Sequence, residues 1–391
     1  MQKLAVIGAS YLQKPLVLKA REMGFETHVF AWEDGAVSKA VADHFYPVSI
    51  TEVDEICAIC QRIKPQGIAS IGSDLATVTV NRVAEKLGLI GNSLECTEVT
   101  TNKFMMRERL KDSSIPCPKY WLAGKNGSDL DVKPKDFPLI VKPVDRSGSR
   151  GVSLAKDRSE LIDAIQAARE QSFSAQVIIE QFIEGREFSV ESISWQGRHY
   201  ILQFTDKETT GAPHYIEKAH HQPAELSVSQ KESLARLTRK SLDCLMVKNG
   251  ASHSEFKITA SGEMYLIEVG ARMGGDCIGS DLVRLSTGYD FVKGVIEVAV
   301  GKFEEPVLTD IWHSGIHYIF PAPGVLSAII FKGDDHVVSH DILIGMGETI
   351  PDIMHSSQRP GYYIYQAAKR MDFDPLKLVL RTVEDDEHDT L

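Results

Sequence analysis

The sequence predicts an α/β protein whose middle part is α+β, and two observations carry this. Near the N-terminus, short apolar runs ending in glycine alternate with helix-like stretches. From residue 186 onward, segments with strand periodicity follow one another in pairs. Strands alternating with helices imply right-handed crossovers and a parallel sheet covered on both faces. Strands joined by short turns imply antiparallel pairing instead.

Taken in order, residues 3–8 (KLAVIG) read as a buried strand running into Gly8, residues 12–23 as a helix ending at Gly24, and residues 25–32 as a second strand. A helical stretch covers residues 52–63, a third strand covers 67–72, and Leu87 to Asn92 reads as the last strand of this unit. Ligands of such sheets collect at the carboxyl ends of the strands, here Gly8 to Ser10 and Gly72 to Asp74. The first of these turns lacks a full GxGxxG and is a weak dinucleotide signal. Residues 97–112 read as helix, and a polar loop with Gly124, Asn126 and Gly127 follows. Short strands and helices continue to about residue 185. Strands over 187–195, 199–204, 254–258 and 264–269 and a helix near 280–300 precede glycine- and proline-punctuated strands over 313–350. These shifts divide the chain into 1–95, 96–305 with a subdomain at about 120–185, and a β-rich lobe at 306–391.

The 391 residues are 43% hydrophobic and 25% charged, with a formal net charge of −11. That is the composition of a globular chain, and the wrong sign for one that neutralises nucleic-acid phosphates. The six cysteines are too few and too scattered for a disulfide framework. Cys57-Ala-Ile-Cys60 has CxxC spacing but no second pair to complete a zinc site. MQKLAVIGASYLQKPL lacks a cationic segment followed by a long apolar run, and no run approaches a membrane span. The cytoplasm is the expected compartment, with no nucleic-acid and no membrane partner. The acidic run Glu384 to Glu387 reads as a solvated terminus.

Chemistry begins at Leu139-Ile140-Val141-Lys142, where a strand delivers a lysine into the turn Asp145 to Gly151. Backbone N–H groups around Ser147, Gly148 and Gly151 can wrap a phosphate, with Lys142 as point charge. No Walker A spacing is present, and alone such a turn is more often just a hairpin. Next, Ile178-Ile179-Glu180-Gln181-Phe182-Ile183-Glu184-Gly185-Arg186-Glu187 reads as a hinge between strands. Its backbone at Phe182 and Ile183 can meet an adenine edge and Glu187 a ribose, or the glutamates can be solvated. The most specific element is Ser254-Glu255-Phe256-Lys257 followed by Tyr265-Leu266-Ile267-Glu268-Val269-Gly270-Ala271-Arg272. Two adjacent strands each carry a carboxylate, and an unpaired Glu268 in so apolar a run would be costly. Two such groups facing one point suit magnesium, with Arg272 beside it on a γ-phosphate. A buried cross-strand salt bridge with Lys257 or Arg272 is the other reading. No Ser–His or Cys–His arrangement argues for a covalent intermediate.

The order of these elements resembles the ATP-grasp superfamily, over roughly residues 1 to 300. The resemblance implies an ATP-grasp fold with an N-terminal Rossmann-like parallel-sheet domain, a lid subdomain and a C-terminal β-rich lobe. It implies that Lys103 and Lys142 contact the triphosphate under the loop of Ser147, Gly148 and Gly151. Glu180 would meet the adenine amino group, Phe182 and Ile183 the ring, Glu187 the ribose, and Glu255 and Glu268 magnesium or manganese. The run EVGARMGGD is similar to the branch that joins L-amino acids. There Glu217 and His220 would line an amino-acid pocket, with Arg272 and the backbone N–H of Gly275 facing the carboxylate; a plain surface histidine at 220 is the rival. Gly270 departs from the pattern, which commonly has asparagine there. The activity implied is ATP-dependent joining of a small carboxylate to an amine through an acyl phosphate, with a homodimer as the expected assembly. A carboxylase-type or purine-pathway enzyme acting on bicarbonate or formate is one alternative, and a non-catalytic nucleotide-binding protein is another.

Overall fold

Leu4, Ala5, Val6 and Ile7 of strand β1 (Gln2–Ile7) are completely buried, as a strand covered on both faces must be. β1 pairs in parallel with β2 (Phe25–Phe30), which pairs in parallel with the short edge strand β3 (His44–Tyr46); β4 (Gly67–Ala69) lies parallel on its other side. Helices α1 (Lys14–Glu22), α2 (Val53–Ile63) and α3 (Asp74–Leu87) alternate with these strands. The computed structural model describes residues 2–124, 131–212, 214–309, 312–331, 335–371 and 378–382. The expected loop residues Asn126 and Gly127 and the acidic run Glu384 to Glu387 lie outside these.

Leu87 to Asn92 is not a strand. Gly88 ends α3 in the left-handed conformation at φ +66, and the following backbone returns to that helix. Leu89 N–H donates to the Ala84 carbonyl and Asn92 N–H to Asn81 Oδ1, so no sheet neighbour is needed. The helix expected over 97–112 is two, α4 (Leu94–Thr101) and α5 (Lys103–Leu110), divided at Asn102.

The chain forms two compact units. One comprises Met1–Pro118, Ile183–Thr205 and Ala224–Asp310; the other comprises Lys119–Phe182, Asp206–Pro223 and Ile311–Leu391. In the second unit, β5 (Tyr120–Leu122), β6 (Leu139–Pro143), β7 (Ser153–Ala155) and β8 (Val177–Gln181) form an antiparallel sheet in the order β5-β8-β6-β7. Helix α6 (Arg158–Gln171) buries Leu161, Ala164, Ile165 and Ala168 into a core with Leu139, Val141 and Ile179.

β9 (Arg186–Trp195) belongs to the first unit, and β10 (Arg198–Thr209) leaves it after Thr205. β11 (Glu217–Gln222) follows in the second unit, then helix α7 (Val228–Cys244) in the first. Sequence reading missed α7, although Ser227 and Gln230 form a capping box readable as Ser-x-x-Gln. β12 (Gly250–Ile258) and β13 (Met264–Gly270) join β9 in the antiparallel order β13-β12-β9. The helix expected near 280–300 breaks at Gly288, φ +74, between α8 (Val283–Thr287) and α9 (Phe291–Ala299). Six strands follow among the described residues: β14 (His313–Tyr318), β15 (Gly324–Phe331), β16 (Val337–Ile342), β17 (Thr349–Ile350), β18 (Gly361–Ala367) and β19 (Leu378–Thr382), with a single 3-10 turn at Ser356–Gln358. β11, β14, β18 and β16 are successive antiparallel neighbours, and β15 pairs with β17 and β19. Among the described residues no helix is long and apolar enough to cross a membrane.

Candidate active site

In the first unit the site grows from a helix cap. Asn102 Oδ1 accepts the N–H groups of Phe104 and Met105, which starts α5 at Lys103. Lys103 is buried, and its Nζ lies 2.9 Å from Glu268 Oε1. Glu268 on β13 stands directly opposite Glu255 on β12, with a bulge just after Glu255. Opposed residues share a face of the sheet with Cβ atoms about 5 Å apart, so both carboxylates lie together, each side chain about a fifth exposed at 22% and 21%. Two such charges repel unless cations stand beside them.

Those cations are Lys103, His253 and Arg272. His253 Nε2 lies 3.0 Å from Glu255 Oε1, and its Nδ1 bonds to the buried Glu191. Burial opposes charge on this imidazole, but Glu191 and Glu255 outweigh it and push its pKa up to about 9. Arg272 forks onto Asp74, Nε to Oδ1 at 2.8 Å and Nη2 to Oδ2 at 3.2 Å. Asp74 is the first residue of α3, at the carboxyl end of β4, where the sequence places ligands. Burial raises its pKa, and Arg272 more than offsets this and holds it low. Sequence reading missed Glu191 and His253; their signal was a carboxylate and a histidine on strands otherwise read as plain sheet.

The glycines of EVGARMGGD have reasons here. A Cβ on Gly274 would lie 2.8 Å from His253 Nδ1 and 2.9 Å from Glu191 Oε2. One on Gly270 would lie 3.1 Å from Arg272 Cζ and 3.3 Å from Asp74 Oδ1. The Arg272–Asp74 pair therefore fills the space an asparagine would need. Gly275 approaches Gly72 so closely that a Cβ on Gly72 would lie 3.7 Å from Gly275 Cα. The donor set suits a hard divalent ion, since Glu255 and Glu268 offer oxygens on one face with cations limiting the excess negative charge. Also in this unit, Ile183 is buried, and Glu187 stands opposite Lys257 with Oε2 3.9 Å from its Nζ.

The second unit holds the remaining expected residues. Lys142 and Glu180 pair at 2.6 Å, both buried, on adjacent strands β6 and β8. Gly148, Ser149 and Gly151 all adopt positive φ, at 67, 58 and 71 degrees, and Ser147 begins this turn. Its base is anchored, because Asp145 accepts from Ser172 Oγ and from the N–H and Oγ of Ser174, at 2.7–2.9 Å. Phe182 N–H donates to the Pro138 carbonyl at 3.3 Å. Glu217 Oε2 accepts from Ser356 Oγ at 2.5 Å, and its carbonyl from Arg359 at 3.1 Å. His220 is buried, not a surface histidine. On an unbroken strand Glu217 and His220 would face opposite sides; an extra residue, Lys218, interrupts the pairing of β11 with β10 and resets that alternation.

Residues 135–281 match the ATP-grasp domain family. The chain carries an ATP-grasp domain. The match spans Lys142, the 145–151 turn, Glu180, Glu187, Glu255, Glu268, Arg272 and Gly275, while Lys103 precedes it. The carbamoyl phosphate synthase large chain of Caldanaerobacter subterraneus subsp. tengcongensis is 25% identical over 265 residues, 66% of this chain but 24% of that protein. Dapdiamide A synthase of Enterobacter agglomerans is 26% identical over 289 residues, 68% of this chain and 66% of that one. The chain thus spans about a quarter of the first relative's length and about two thirds of the second's. Among solved structures, the L-amino acid ligase from Bacillus licheniformis superposes with a TM-score of 0.82, at 22% identity over 94% of both chains. At that identity the likeness is one of fold: the ATP-grasp fold, with a parallel N-terminal sheet and antiparallel sheets beyond it.

Proposed function

We propose that the chain is an ATP- and magnesium-dependent ligase that joins a small carboxylate to an amine, with an amino acid among its substrates. The observation that carries this reading is the opposition of Glu255 and Glu268 across β12 and β13, ringed by Lys103, His253 and the Arg272–Asp74 pair. The group gathers the carboxylates of Glu255, Glu268, Glu191 and Asp74 around Lys103, His253 and Arg272, a concentration of negative charge that a divalent ion would relieve. Magnesium held by Glu255 and Glu268 would neutralise phosphate charge, and manganese meets the same oxygen donors.

In this reading Lys103 and Lys142 contact the triphosphate, and Ser147, Gly148 and Gly151 cover it. Glu180 takes the adenine amino group, Phe182 and Ile183 the ring, and Glu187 the ribose. Arg272 and the N–H of Gly275 orient the substrate carboxylate, whose oxygen attacks the γ-phosphorus as the bond to the β-phosphate oxygen breaks and ADP leaves. The amine nitrogen then attacks the acyl carbon, phosphate departs, and the amine proton passes to solvent or to a base. Glu217 and His220 hold the amino acid, a carboxylate for its ammonium and an imidazole for its carboxylate. The functional parts are then 1–95, 96–305 with the lid near 120–185, and 306–391, assembled as a homodimer.

Phosphate release measured over a panel of amino acids, singly and in pairs, tests the reading. Release that requires an amino acid and rises with a second one supports it. Release driven by bicarbonate or formate would move the chain to a carboxylase-type or purine-pathway role, and absence of ADP with every acid–amine pair would leave a nucleotide-binding protein.

A further inference from the structure

At the edge of the N-terminal sheet, three side chains meet that the proposed reaction does not use. Parallel pairing puts His28 of β2 directly opposite His44 of β3, and Glu26 lies two residues before His28 on the same face. Both imidazoles aim Nε2 at one oxygen, Glu26 Oε1, at 3.1 Å from His28 and 2.9 Å from His44. The three ligand atoms lie within 4.8 Å of one another. The two rings stack with centroids 4.5 Å apart and planes 14° apart.

Two further features distinguish this group from a chance surface cluster. His28 is 2% exposed, and its Nδ1 lies 3.0 Å from the Tyr46 hydroxyl. That partner fixes the ring and leaves Nε2 turned toward Glu26, as outer-shell partners do for metal-ligating histidines. Tyr46 is in turn stacked on the buried Phe30, with centroids 4.7 Å apart, so the support is anchored in the core. His44 is half exposed, which leaves a route for an ion from solvent.

We propose that Glu26, His28 and His44 bind a zinc-class divalent cation, two imidazole nitrogens and one carboxylate oxygen with water completing the shell. The set of two histidines and one glutamate suits zinc and not magnesium, which prefers oxygen alone. With the ion and the Glu26 carboxylate counted the site carries a net positive charge, and Lys3, opposite Glu26 on β1, adds to it. The consequence is mechanical: β3 has three residues and is an edge strand, and the ion would staple it to β2.

The test uses the full chain and zinc alone, by titration calorimetry and thermal melting. One zinc per chain should bind and raise the melting temperature of wild type. His44→Ala and Glu26→Gln should weaken binding by roughly 10-fold or more and remove the rise. Glu268→Gln, in the other acidic group, should bind zinc as wild type does. Cobalt substituted for zinc should give visible d–d bands without the near-ultraviolet charge transfer of thiolate ligation. The assignment is overturned by wild type failing to bind, by undiminished binding in His44→Ala, by loss in Glu268→Gln alone, or by a thiolate band.

Discussion

The two units use charge in opposite ways. In the second, Lys142 and Glu180 form a buried pair, side chains 8% and 3% exposed. In the first, Lys103, His253, Arg272, Asp74, Glu191, Glu255 and Glu268 form a connected group in which the opposed glutamates stay partly exposed. Removing one member of a buried pair exposes the other to the cost of low dielectric. A network tolerates such a loss, because remaining members share the charge. The buried pair makes Lys142 and Glu180 matter to folding as well as to the nucleotide contacts proposed for them, and the network keeps carboxylates available for an ion.

The comparison breaks most readily at the pair. Glu180→Leu should destabilise the second unit by about 3–5 kcal/mol, because Lys142 is left buried without its partner. Adding Lys142→Met should restore much of that loss. Urea unfolding of the single and double variants checks this; a single variant as stable as wild type would mean that the pair is already hydrated.

The network should respond in function instead. Glu255→Gln and Glu268→Gln are expected to lower kcat for ADP formation by about 100-fold or more with little change in melting temperature. Turnover at the wild-type rate from either would return them to structural carboxylates.

Next in size is the acceptor region of the second unit. Glu217→Ala should raise KM for the amino acid by about 10-fold, the loss of one charged hydrogen bond, and leave KM for ATP nearly unchanged. Equal change in both constants would mean that Glu217 serves mainly to hold Ser356. A smaller, kinetic effect is expected at the 145–151 turn, where ATP and magnesium should slow proteolytic cleavage. Since Asp145 is already anchored, protection should concentrate at Ser147 to Gly151, and equal rates with and without nucleotide would count against closure there.

Much of this was legible in the sequence because it rests on local pattern. The apolar runs at β1 and β2, the opposed glutamates and the Lys142 strand follow from periodicity and from single charges in apolar surroundings. What was not legible depends on partners far along the chain. Asp74 becomes an Arg272 partner only across 198 positions, and Glu191 and His253 look like ordinary strand residues until β9 and β12 pair. Leu87 to Asn92 failed for a related reason. Its composition suits a strand, but its backbone donors are taken by Ala84 and Asn81.

The smallest expected effect lies in the second unit's other charged group and concerns pH. Glu208 accepts from His221 and pairs with Arg370 at 2.6 Å. The hydrogen bond from His221 leads in lowering its pKa from 4.5 to about 2, against burial and with help from Arg370. A carboxyl depressed on folding adds stability that is complete above its unfolded value and is lost as pH falls through the folded one. The relevant window therefore runs from 4.5 down to about 2. Glu208 is 46% exposed, so water screens much of the interaction and the contribution should be about 1 kcal/mol or less. Melting temperatures of wild type and Glu208→Gln, compared from neutral pH downward, should differ most at neutral pH and converge across that window. A constant difference would mean that glutamine loses packing rather than charge, and a difference growing toward acid would contradict the pairing with His221 and Arg370.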